Sequence, residues 1–262
     1  MSAAAGNLTS APSPPPPPPG SPRYFALLYT PRAARAALAT LLALADEISA
    51  GAGRSLDHSV AHARLDWWRA EAERFTRGEP QHPWLRTLLP PPGDVLPPDL
   101  APLVDAAAID LATATFGAAA GAASSGSALQ GAVFAEAASV LRSVPRDRAV
   151  PPASPGLPRA LRDLGQCASE LERLAGTTAP PSAANPATAA LATLSLQVAA
   201  IDSRQQPQLA PLLVWVALAA IQARRRLQRP PGRNNSALDA FADNIVAWNA
   251  AHRAARGRFR ID

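Results

Sequence analysis

The sequence predicts an all-α fold in a single domain, and three observations carry the prediction. Hydrophobic residues make up 48% of the 262, enough for a globular core, and Ala and Leu, both strong helix formers, dominate that fraction. Aromatics stand at 5%, and few segments are rich in the Val, Ile, Tyr and Phe from which strands are built. Apolar residues recur at helical spacing between clusters of Pro and Gly. A chain of this length supports one substantial core.

Residues 1–22 are low-complexity and end in Pro14 to Pro19 and Gly20. Prolines lock φ and donate no backbone hydrogen bond, so an extended, solvated, passive tail is expected, with the domain occupying 23–262. Phe25, Leu27, Leu28, Leu38, Leu41, Leu42, Leu44 and Ile48 then recur at helical spacing, and Pro31 marks a break after Thr30. A second helix is expected from about Ser55 to Arg77, capped by Ser55 or Asp57 and ended by Gly78 and Pro80. Residues 90–99 read as a loop. From Leu100 to Leu141 the chain is rich in Ala and Gly and nearly uncharged. Small side chains let helices approach closely, so one or two central, buried helices are expected there, with a break near Ser125. Pro145, Pro151, Pro152, Pro155 and Pro158 force an irregular crossing. Helices at 157–175, 187–203, 208–228 and 236–256 bring the expected count to seven or eight.

The formal charge is +5 and every one of the 25 basic residues is Arg. That balance permits anionic partners without choosing among diphosphates, lipid head groups and nucleic acid. Nucleic acid is disfavoured because the Arg clusters at 224–229 and 253–260 are not interleaved with a series of stacking aromatics, Phe259 standing alone among them. The single cysteine, Cys167, excludes an internal disulfide and reads as a small core filler. The longest apolar run, Leu212 to Ile221, is too short to span a bilayer. No signal-peptide pattern opens the chain, so the expected location is the cytoplasm, up to the inner membrane surface.

The most specific stretch is His62-Ala63-Arg64-Leu65-Asp66-Trp67-Trp68-Arg69, followed by Gly78-Glu79-Pro80-Gln81-His82-Pro83. Leu65 and Trp68 share a helix face, with Trp67 about 100° away. Two tryptophans at this spacing read first as core anchors. The Arg-Leu-x-Trp-Trp-Arg helix with Gly-x-x-x-His-Pro resembles the N-terminal part of squalene/phytoene synthase family members. Trp248 to Phe259, with Ala254, Arg256, Gly257 and Arg258, resembles the closing segment of short bacterial relatives. The resemblance implies an isoprenoid-synthase-like helical bundle around an apolar cavity, in which two aspartate-rich motifs hold magnesium against prenyl diphosphates. Ionising a diphosphate leaving group calls for divalent cations, and carboxylates at i and i+3 or i+4 supply hard oxygen ligands on one side of a helix.

By that resemblance the candidate diphosphate and magnesium region comprises Asp46 and Glu47 in the first motif and Arg142 and Asp147 in the second. Both motifs depart from the family pattern. Ser49, Ala50 and Gly51 stand where a further acid is expected, and Ser143 replaces the leading aspartate of the second motif. Pro145 interrupts the turn between Ser143 and Asp147. No residue is therefore assigned as catalytic. The i, i+4 pair His58 and His62, near Asp57 and Asp66, lacks a third zinc ligand at a convincing spacing.

The departures favour a family-like protein without normal head-to-head prenyl transfer, acting by binding or assembly, and needing no cofactor. The alternative is an active or residually active farnesyl or geranylgeranyl diphosphate transferase using magnesium. Expected partners are a prenyl diphosphate or another apolar-tailed ligand, a protein, or a membrane touched peripherally. For the interior, a retained cavity bordered by 44–50 and 136–147 and a cavity closed by tight packing of small residues are both open expectations.

Overall fold

Ten helices account for about three quarters of the residues described by the computed structural model, namely 13–51, 57–89, 97–117, 127–145, 152–176, 184–228 and 237–261. In chain order they are α1 (Pro22–Leu28), α2 (Arg32–Gly51), α3 (His58–Thr76), α4 (Pro83–Thr87), α5 (Ala101–Gly117), α6 (Ala128–Ser143), α7 (Leu157–Gly176), α8 (Ala184–Ala199), α9 (Ala210–Gln228) and α10 (Ala237–Ala255). No strand occurs among the described residues.

Local chemistry sets the helix starts. Ser21 Oγ accepts from the Tyr24 N–H at 3.2 Å, with Pro22 in the first turn of α1. Asp57 accepts from the Ser59 N–H at 2.8 Å and caps α3. That helix stops where Gly78 takes φ +82°, a left-handed conformation that glycine enters without steric cost. At α6 the cap is shared. Ser127 Oγ accepts from Gln130 N–H, while Asp110 of α5 accepts from the N–H groups of Ala128 and Leu129 at 2.7 and 3.0 Å. α6 ends at Ser143 with Val144 extended, the conformation favoured before Pro145.

One continuous hydrophobic core runs from Phe25 to Phe259. α9 is its axis: Leu212 through Val216 and Leu218 through Ala220 are all buried, and α1, α7 and α10 pack around it. α6 forms a second axis, packed by α2, α5 and α7, so that α7 joins the two halves. α7 can do this because Leu157, Leu161, Leu164, Ala168 and Leu171 recur every three or four residues and are all buried on one face.

Three expectations are corrected. The helix count is higher than seven or eight because the seven-residue α1 and five-residue α4 are separate helices. Of the Ala/Gly-rich stretch, α6 is the central, buried helix the sequence predicts, while α5 turns Ile109 and Phe116 to solvent. α8 ends at Ala199, followed by turns up to α9. Trp68 is a core anchor at 4% exposure, whereas Trp67 stands 42% exposed on the adjacent face. The break near Ser125 and most of the 90–99 loop lie outside the described residues.

Small residues do bring two helices together, at the α6–α7 crossing. A Cβ on Gly165 would lie 2.4 Å from the Gln130 carbonyl oxygen, and one on Gly131 would lie 2.9 Å from that of Arg162. Both obstacles are backbone, which cannot rotate away. Gly165→Ala is therefore expected to lower stability by about 1–3 kcal/mol through overpacking, read as a reduced denaturation midpoint. An unchanged midpoint would show that the crossing has slack.

Candidate functional site

Arg23, half-buried on the first turn of α1, links several helices. Its guanidinium pairs with Asp46 of α2 and donates to Gln130 Oε1 of α6 at 3.0 Å. It lies over the Trp215 ring of α9, 5.4 Å from the centroid, a position in which the aromatic face attracts the cation. Trp215 is fully buried and its indole N–H donates to Glu172 of α7. Five helices thus contribute one residue each to a cluster of Arg23, Asp46, Gln130, Glu172 and Trp215. Gln130 Nε2 is buried in it with no hydrogen-bond partner.

Burial pushes the Glu172 carboxyl above its ordinary value, and the negative charge of Asp46 pushes the same way, against the indole N–H and the Arg23 charge. The Asp46 side chain is 66% exposed. An ion pair with so accessible a partner contributes roughly 1 kcal/mol or less. The function of the Arg23–Asp46 contact is positional: it holds the end of α2 against α1 and the start of α6.

Glu47, the neighbouring acid, points elsewhere, as the 100° step of a helix requires. Its Oε2 accepts from His82 Nε2 at 3.2 Å. The imidazole accepts the Trp84 N–H at Nδ1, 3.3 Å away, which fixes Nε2 as the donor. Trp67, Trp68 and Trp84 surround the ring. The turn carrying His82 is held by Glu71 of α3, wholly buried, whose Oε1 accepts from the Gln81 and His82 N–H groups at 2.7 Å each. Its other oxygen accepts from Arg74. The Gly-x-x-x-His-Pro segment is in this way a clasp between α2, α3 and α4.

No family model matches the chain, and no curated protein and no solved structure matches it either.

The remaining candidates are dispersed. Arg142 sits at the far end of α6, twelve residues and about 18 Å along the axis from Gln130, where it donates to Gln208 at 3.5 Å. Asp147 lies outside the described residues. The acid that faces the Asp46 region is Glu172, which the sequence reading did not single out. Its only sequence signal is a position off the apolar stripe of α7, one residue after Leu171. His58 and His62 meet on the surface at 3.0 Å between their Nε2 atoms. No group of three or more His, Cys, Asp or Glu suited to a metal ion occurs among the described residues.

Among the described residues, these placements bear on the fit of a magnesium–diphosphate centre. Magnesium requires several oxygen donors disposed octahedrally around one point. Asp46 is committed to Arg23, Glu47 to His82, and Glu172 to a buried indole. The described carboxylates do not form the donor set. Nor do the candidate segments border a described cavity. The α2–α6 interface is filled by Leu41, Leu44, Ile48, Phe134, Ala137 and Leu141, all buried. The two described cavities, of about 410 and 210 Å³, are lined by residues of α8, α9, α10 and the C-terminal segment.

A carboxyl whose folded pKa is raised adds stability that is complete below its unfolded value, ordinarily 4.5, and is lost as pH rises through the folded value. Glu172→Gln keeps an oxygen for the Trp215 indole and removes the charge. The variant should therefore match the parent in acid below that value and be more stable at pH 7, measured by denaturant titration across pH. A loss of stability at pH 7 would mean that Arg23 attraction outweighs burial.

Burial also pushes the Cys167 thiol up to about 11 from its ordinary 9.0, with Asp163 and Glu170 adding to the effect. The thiolate is the reactive form, so iodoacetamide at mildly alkaline pH should alkylate the folded chain roughly a hundredfold more slowly than the unfolded one. Comparable rates would contradict the shielding of this half-buried thiol.

Proposed function

We propose that this chain is a squalene/phytoene synthase-like helical protein that acts by binding or assembly, without head-to-head prenyl transfer. One observation supports the reading above the others. The Arg23 guanidinium stands against Asp46 with Glu172 alongside, so an internal cation takes the place that a bound divalent ion would need. Preorganised positive charge at the departing diphosphate is the largest source of catalysis in such chemistry, and a guanidinium tied to Asp46 and Gln130 has its directional donors turned inward. The Trp-Trp helix and its His82 clasp then serve architecture, which fits their contacts with Glu47 and Glu71. The filled α2–α6 interface directs binding to the outer surface.

Purified protein incubated with magnesium and farnesyl or geranylgeranyl diphosphate should yield no head-to-head product above a control lacking protein. Squalene- or phytoene-like product that disappears in Asp46→Asn would overturn the proposal and restore the transferase alternative.

A further inference from the structure

α10 carries an apolar stripe on its outer face. Leu238, Phe241, Ile245 and Trp248 are 79, 66, 46 and 57% exposed, and their spacing of three, four and three residues places them on one side of the helix. The opposite side, through Ala247, Ala250 and Ala254, is buried against α9. A surface this apolar and continuous is uncommon unless something covers it. Trp248 is held ready, stacked on His252 with ring centroids 5.3 Å apart and planes 11° from parallel.

The surroundings of the stripe carry one sign of charge. At 100° per residue, Asp239 and Asp243 fall on the α9 side of the helix, and Asp243 pairs with Arg225. From Asn244 to Ile261 the chain holds Arg253, Arg256, Arg258 and Arg260 and no acid. Around the flank of α10, a cleft of about 210 Å³ is lined by Arg224, Arg253 and Arg260 with Asn249, against apolar walls that include Val246 and Phe259. Among the described residues no carboxylate lines it.

The segment bearing these arginines is held in place. Phe259 N–H donates to Gln206 Oε1 at 2.8 Å, and Gln206 Nε2 donates back to the Phe259 carbonyl at 3.3 Å. Gly257 turns the chain at φ +65°, where a Cβ would lie 2.6 Å from the Ser203 carbonyl oxygen.

We propose that α10 and the C-terminal segment form a docking surface for an anionic phospholipid bilayer. The stripe enters the interfacial layer, and the arginine-lined cleft takes a headgroup phosphate beside it. Trp, Phe, Leu and Ile on one face of a helix, flanked by basic residues, are the composition of helices that lie in the bilayer plane. Arginine binds phosphate oxygens through paired N–H donors. No described helix is long and apolar enough to cross a membrane, so the contact is peripheral. Charge argues against a second copy as the occupant: a two-fold contact through this face would set its arginines against an identical set. The proposal does not depend on the reading of the Arg23 cluster.

Flotation of the full chain with vesicles tests it. Binding is expected to phosphatidylcholine vesicles containing about one third phosphatidylglycerol and not to phosphatidylcholine alone, and about 0.5 M salt should weaken it strongly. Phe241→Ser with Trp248→Ser alters only exposed side chains and should reduce binding at least tenfold without changing the melting temperature. Arg253→Gln and Arg260→Gln should each cost roughly fivefold. Trp248 emission should shift to shorter wavelength on vesicle addition, a change absent in Trp248→Phe. Equal binding to neutral vesicles, no flotation, or binding indifferent to these substitutions would overturn the proposal. So would self-association, or binding of an acidic protein, that the Phe241 and Trp248 changes abolish while vesicles are ignored.

Discussion

A buried indole must place its N–H on an acceptor, and at Trp215 that requirement organises the centre of the fold. The ring occupies the middle of α9, where every neighbour along the chain is apolar, so the acceptor has to come from another helix. α7 supplies Glu172. A carboxylate brought that deep needs a compensating charge, and Arg23 of α1 lies over the same ring. Arg23 in turn collects Asp46 and Gln130. One indole N–H therefore leads through four further side chains to the mutual placement of α1, α2, α6, α7 and α9.

The same network limits what the acids can do chemically. Carboxylates that bind metal must share one open point, and those of this cluster are drawn apart by an arginine, a histidine and an indole. Glu47 illustrates the separation: one residue from Asp46, it belongs to a different structure, the clasp in which His82 is boxed by three tryptophans and Glu71 holds the turn. In that clasp polar groups are nearly all satisfied and the contacts are short, which are the attributes of a fixed joint. Exposed apolar side chains and an arginine-lined cleft lie instead along α10 and the segment that follows it.

How much of this was legible beforehand follows from how local each feature is. Helix formation, the cap at Asp57, the stop at Gly78 and the break at Pro31 depend on a few neighbouring residues, and the sequence displays them directly. The amphipathic pattern of α7 is likewise readable. The short α1 and α4 were harder to see, because periodicity needs more than two turns to register. Asp46 and Glu47 were recognisable as acids of interest, but not the groups that bind them, which sit 23 and 35 residues away.

Sequence alone determined that the chain is helical, roughly where α3, α7, α9 and α10 begin and end, and that its basic charge resides entirely in arginine, because each is a matter of composition or short-range pattern. Tertiary structure alone decided that Glu172 rather than Arg142 shares the cluster with Asp46, that Trp68 is interior while Trp67 is not, and that α9 is the axis. It also decided that the apolar residues of α10 face outward. Periodicity shows that a helix has faces. Which face is covered depends on the neighbours that distant parts of the chain bring to it.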